Sequence, residues 1–157
     1  MLSLLLPRQF DNTFRGWRLG LWLFVPVLIV RLGIGFKSML SPYETAMNAD
    51  GIPLDSFGAA GANEAVALFA LLGLAGAVLA LLGVLVLLRY RSMIPLMYLL
   101  FLASQIGNRV LNTLHPTAKG AATAVGGISV GWLVVNGLLA AMILGFVLSL
   151  IPRGDTT

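Results

Sequence analysis

The sequence has no cysteine and a single histidine, His115. Without thiols there is no disulfide, no thiol nucleophile, no Cys-ligated zinc and no iron–sulfur cluster, and one imidazole cannot form a cluster. Charge is scarce as well: Asp, Glu, Lys and Arg make up 10% of the 157 residues, against about 25% in soluble domains. No serine stands in a nucleophile-elbow pattern, no Gly-rich phosphate loop follows a strand, and no metal-ligand spacing occurs. No unit of about 20–50 residues repeats, and no inverted repeat of the transporter kind is visible. No cofactor or metal is therefore expected.

What the chain does have is apolar sequence, 59% of its residues. A soluble fold of this size cannot bury so much, whereas lipid accepts it if every backbone polar group is bonded within a helix or a closed barrel. The apolar residues come in long blocks rather than ten-residue alternating strands, which excludes a barrel. Four spans result, at 16–40, 65–88, 92–114 and 124–151. The second holds no charged residue and rises about 36 Å, enough for a ~30 Å hydrocarbon layer. A cleaved signal peptide is the competing reading of the first span. Its apolar stretch is too long for one, and Arg31 and Lys37 stand where the cleavage region belongs. The expected fold is all-α: one transmembrane four-helix bundle over 1–157, with an ordered outer loop, 41–63, between helices 1 and 2.

The formal net charge of +4 reads as topology rather than as a nucleic-acid surface. Arg8, Arg15, Arg18, Arg89, Arg91 and Arg153 lie at the termini and the turn between spans two and three, with only Asp11 and Asp155 against them. In the other half Arg31, Lys37, Arg109 and Lys119 balance Glu44, Asp50, Asp55 and Glu64. The positive-inside rule then places both termini and the Arg89–Arg91 turn in the cytoplasm, with Trp17, Trp22 and Tyr90 as interfacial anchors.

Within the outer loop, Ser41-Pro42-Tyr43-Glu44 has the form of a capping box with proline at the first helical position. A short helix from there ends near Gly51, a residue suited to a left-handed C-terminus, before an extended Ile52-Pro53 segment. Ser41, Glu44, Asp50 and Asp55 are thus candidate members of a loop cap over the bundle; a plain exposed connection is the alternative. Small residues recur in span two (Gly73, Gly76, Ala77, Ala80, Gly83) and in span four (Gly127, Gly131, Gly137, Ala141, Gly145). Such spacing brings backbones together where no hydrophobic drive acts between helices.

The chemistry-bearing residues inside the membrane are few. Gln105, Asn108, Arg109 and Asn112 share one face of span three, while Ser129, Trp132 and Asn136 share one of span four. Arg31 lies about 14 Å below the outer end of span one, and Glu64 opens span two. Burying an arginine in a span costs about 2.5–3.5 kcal/mol and calls for a partner. In one reading Arg31 and Arg109 pair with Glu64, Asp50 or Asp55 and fasten the loop, and the balance of charge in this half favours it. In the other, the two arginines, Glu64 and the amides of Gln105, Asn108, Asn112 and Asn136 form a ligand pocket. Lys37 and His115 sit near helix ends, where snorkelling and helix termination account for them.

At Phe14–Trp22, Ala49–Leu54 and Leu88–Pro95, the chain resembles a group of small bacterial four-span membrane proteins for which no activity is established. That likeness implies a bacterial inner-membrane location. A looser similarity to DoxX-like proteins rests on Arg31-Leu32-Gly33, the glycine-rich span opening at Glu64 and the basic turn after it; it implies a four-helix bundle linked to quinone or respiratory-chain biology. The preferred expectation is a non-catalytic multi-pass protein in the lipid bilayer, an accessory or partner-binding subunit of a larger complex or a homo-oligomer. The alternative is a small ligand-binding or enzymatic protein acting on a quinone or lipid headgroup through Arg31, Arg109 and Glu64.

Overall fold

A computed structural model describes residues 11–49, 51–115 and 130–151, with side chains left aside at Ala49 and at 130–132. Among these residues all regular structure is helical. Four long helices dominate: α1 (Arg18–Leu40), α2 (Ala59–Arg89), α3 (Ile94–Leu114) and α4 (Val130–Leu150). Each contains a stretch long and apolar enough to cross a membrane. No more than 39% of any such stretch is buried, and large side chains such as Leu68, Leu71, Leu72, Leu81 and Leu144 point outward. That surface is stable only against lipid, so the chain is a multi-pass membrane protein.

α1 is the central helix. It packs along α2 on one side and α4 on the other, while α3 rests mainly on α4 and less on α2. Glycines set the close approach of α1 to α2. A Cβ added at Gly35 would lie 2.7 Å from the Ala77 backbone nitrogen, and one at Gly73 would lie 2.6 Å from the Ser38 carbonyl carbon. Gly20 likewise lets α1 meet α4, its notional Cβ 3.2 Å from Ser149 N. The core between these crossings holds Phe24, Val27, Leu28, Met97, Tyr98, Phe101 and Met142. Phe24 meets Tyr98 edge-on at 5.1 Å and stacks on Phe101 at 6.1 Å, and the Tyr98 hydroxyl donates to the Gly20 carbonyl at 2.9 Å.

One end of the bundle, here the basic end, carries Arg15, Arg18, Arg89 and Arg91. There the segment before α1 is tied down. Ser92 Oγ donates to the Asp11 carbonyl at 3.0 Å, and Trp17 N donates to the Leu148 carbonyl at 3.2 Å. Asp11 also pairs with Arg15 at 3.2 Å. Its carboxyl is held below the ordinary value, chiefly by hydrogen bonding with Thr13 and less by Arg15.

The opposite, loop end departs from the expected cap in two ways. First, α2 starts at Ala59 rather than near 65, so Glu64 is an exposed residue inside the helix and not its opening. Hydropathy falls at Asn63 and Glu64, but Ala59, Ala60 and Ala62 favour helix regardless, and at 31 residues the helix rises about 46 Å, beyond the hydrocarbon. Second, the capping box does not form. Pro42–Glu44 is helical with Ser41 before it, yet no side-chain cap bond is made. The Ser41 amide, which Glu44 would have to reach, already donates to the Lys37 carbonyl at 2.8 Å to close α1. The chain continues through a π-helical turn, Thr45–Ala49, and reverses at Gly51, whose φ is +68°. Ile52 N then reaches back to the Ala46 carbonyl at 2.9 Å, one residue wider than the usual Schellman closure, as the wider π turn requires.

Candidate functional site

Three helices leave a gap in the loop-end half of the bundle. Because α1 and α2 touch through glycine and alanine, their contact forms a shallow floor of Gly35, Gly73 and Gly76, and α3 stands off as a wall. The resulting cleft, of about 330 Å³, opens sideways toward lipid; Arg31 and Ser38 reach it from α1, Phe69 from α2, and Phe101, Ser104 and Asn108 from α3.

Among the described residues, Arg31 is the only charged one lining the cleft. It lies about 20 Å along α1 from Arg18 and about 14 Å from Leu40, near the middle of a bilayer. One terminal nitrogen donates to the Phe101 carbonyl at 2.9 Å and approaches Met142 Sδ at 3.6 Å. The guanidinium sits over the Phe101 ring, 5.4 Å from its centre, so the column Tyr98–Phe24–Phe101 ends on a cation. Its Nε is buried with no hydrogen-bond partner. The sole ion pair among the described residues is Arg15–Asp11. Neither Glu64 nor Asp55 therefore meets Arg31, while Asp50 lies outside the described residues. Each contact that Arg31 does make reaches a neutral group, leaving donor capacity at a cavity wall.

Arg109 is in a different place. Its terminal nitrogen donates to Asn136 Oδ1 at 2.9 Å, joining α3 to α4, and its Nε is also buried without a partner. Gln105, one turn earlier, is on the buried face of α3. Asn108 faces the Arg31 cleft, and Asn112 is exposed. The polar residues thus form two groups, Arg31 with Asn108 in the cleft and Arg109 with Asn136 between α3 and α4. Ser129 and the side chain of Trp132 lie outside what is described. Lys37 and His115 are exposed.

Ser38, Phe69, Phe101 and Ser104 escaped notice in the sequence. A signal existed for three of them: Ser38 is seven residues from Arg31, and Phe101, Ser104 and Asn108 follow one another at spacings of three and four, each set sharing a helix face. Nothing in the sequence marks Phe69.

In the loop, the Tyr43 hydroxyl donates to Asp55 Oδ1 at 2.8 Å, so Asp55 fastens the loop to itself. The Asp55 hydrogen bond raises the phenol's pKa above its ordinary 10.0, with desolvation and charge adding to it. A raised folded value means this contribution is complete below the unfolded phenol's pKa and fades as pH climbs through the folded one. Tyr43→Phe should accordingly speed proteolysis of the 41–58 loop at neutral pH. The difference from wild type should vanish once the phenol ionises; equal cleavage rates at pH 7 would show that the bond does not order the loop.

Fold and cleft together define a multi-pass, four-helix membrane protein with a laterally open polar cleft. Comparison with protein-family models, with curated proteins and with solved structures finds no match.

Proposed function

We propose that the protein is a non-catalytic membrane-embedded binding protein whose cleft takes the oxygen-rich head of an amphiphile entering from the bilayer. The observation that carries this reading is Arg31, a cation near mid-membrane whose Nε is buried and unpartnered on the wall of a lipid-open cavity. A desolvated guanidinium strongly favours an acceptor with full or partial negative charge. A lipid phosphate and a quinone carbonyl both supply one, with Ser38, Ser104 and Asn108 as further hydrogen-bonding groups. Among the described residues the cleft lining holds no carboxylate or imidazole to move a proton, which favours binding over catalysis. The likeness to DoxX-like proteins points to a quinone as one such head.

The test is native mass spectrometry of protein extracted gently from its own membrane. A discrete small-molecule mass should accompany the wild type and be lost from Arg31→Gln; its phosphorus content and quinone absorbance would tell the two heads apart. A wild type that carries no small molecule, or an Arg31→Gln variant that keeps it, would refute the reading.

The accessory-subunit reading also has an observation in its favour. A second groove, of about 280 Å³ and wholly apolar, runs between α1 and α4 past Pro26, Val30, Val134 and Gly137, and nothing approaches the space a Cβ at Gly137 would fill. Such a surface suits close approach by a helix of another subunit or a second copy. The same spectra would then show a stoichiometric larger mass.

A further inference from the structure

The basic end carries a second cavity, separate from the Arg31 cleft. It has a volume of about 530 Å³ and lies between the ends of α1 and α2, with Arg18 and Arg91 at its walls beside Trp22. Leu21, Val25 and Leu88 continue the lining. Arg18 is the first residue of α1, whose opening turn has no acidic residue and no side-chain cap. A cation there faces the positive end of the helix dipole, an unfavourable position unless an anion lies nearby. Arg91 is held from the other side, where its Nε donates to the Leu87 carbonyl at 3.0 Å and caps the end of α2. That bond leaves both of its terminal nitrogens available. Among the described residues, Asp11 is engaged by Arg15. Two guanidinia and an uncapped helix start thus share one cavity with no carboxylate among the described residues.

We infer that this cavity is a binding site for an anionic phospholipid of the leaflet at the basic end, the phosphate held by Arg18 and Arg91. The apolar lining decides for a lipid over a free phosphate ion. From Arg18 to Val25 the wall descends about 10 Å along α1, from charged groups to purely aliphatic ones. That profile matches a headgroup followed by the glycerol backbone and the first methylenes of an acyl chain. Trp22, 71% exposed, borders the cavity at the level where indoles settle between headgroup and hydrocarbon. Basic pockets between helices near a membrane surface recognise anionic headgroups by this combination of charge and depth.

The experiment reconstitutes the full chain in vesicles of phosphatidylglycerol and phosphatidylcholine and counts retained lipids by native mass spectrometry. The wild type should retain phosphatidylglycerol selectively. The Arg18→Gln and Arg91→Gln variants should each retain several-fold less, while Arg89→Gln, with the same change in charge outside the cavity, should match the wild type. Equal loss in all three would reduce the effect to general surface charge and overturn the site. Displacement of phosphatidylglycerol by millimolar inorganic phosphate would assign it to a free anion instead. A second measurement needs no arginine variant. With Trp17 and Trp132 replaced by Phe, Trp22 should be quenched more by phosphatidylglycerol brominated near the headgroup than by equally brominated phosphatidylcholine; equal quenching would count against the site. The Trp22 quenching reads only this cavity, about 14 Å along α1 from Arg31, so this inference and the cleft reading fail independently.

Discussion

Replacing Gly73 by Leu should cost the bundle several kcal/mol and close the Arg31 cleft at the same time. The atoms that a side chain at Gly73 would meet belong to the backbone of α1, at Ser38 and Met39, and backbone cannot rotate aside as a flexible side chain can. The helices must separate. Overpacking of this kind costs about 1–3 kcal/mol in well-packed cores, and here the separation also undoes the crossing at Gly35 and Ala77, which shares the same interface. Even Gly73→Ala should therefore destabilise. Gly33 is the control, since it lies on α1, the helix that Gly73 meets, but has nothing within 4 Å of the Cβ position. Gly33→Ala should be neutral, or gain up to about 1 kcal/mol from helix propensity. Unfolding titrations in mild detergent measure all three. If Gly73→Ala and Gly33→Ala had equal stability, the close crossing would not be what holds α1 to α2.

The small-residue stripe of α2 is legible in the sequence because glycines and alanines three and four apart suit close packing in lipid. Its partner on α1 was not. Gly35 is a single glycine among large residues, and nothing in a sequence gives the rotation of one helix against another. The same limit explains the polar residues. Arg31 and Arg109 stand out in apolar runs, and both prove to be tied to neighbouring helices. Which helix each one faces depends on angles between helices, so a single pocket could not be distinguished from two. Charge balance suggested ion pairs with Glu64, Asp50 or Asp55, of which Asp50 lies outside the described residues. For the other two it was a poor guide because it counts charges by depth alone, whereas Glu64 is carried on the exposed face of α2 and Asp55 is engaged by Tyr43. At Ser41 the motif was present and its chemistry absent, because a short-range pattern cannot show that the preceding helix has already claimed the amide.

Arg31→Met should weaken binding in the cleft roughly ten- to hundred-fold while leaving the empty protein about as stable as the wild type. Methionine keeps an unbranched apolar stem and removes the charge. In the empty protein the guanidinium carries a burial cost of about 2.5–3.5 kcal/mol. Against it stand one hydrogen bond from a charged donor to the Phe101 carbonyl, about 1.5–3 kcal/mol, and a cation–π contact with the Phe101 ring, about 0.5–2 kcal/mol. These nearly cancel, and the Phe101 carbonyl remains within its helix when the arginine is gone, so the net change should stay within about 1 kcal/mol. An arginine buried to pair with a carboxylate behaves differently, because removing one partner strands the other and costs about 3–5 kcal/mol. The bound state gives the opposite contrast. Loss of a charge-assisted bond to the ligand, about 1.5–3 kcal/mol, weakens binding roughly ten- to hundred-fold. Unfolding of delipidated protein and retention of the native small molecule, measured on the same variant, therefore separate the two roles. Large destabilisation of the empty protein would make Arg31 a structural fastener, whereas unchanged stability with lost retention would make it the group that receives the ligand.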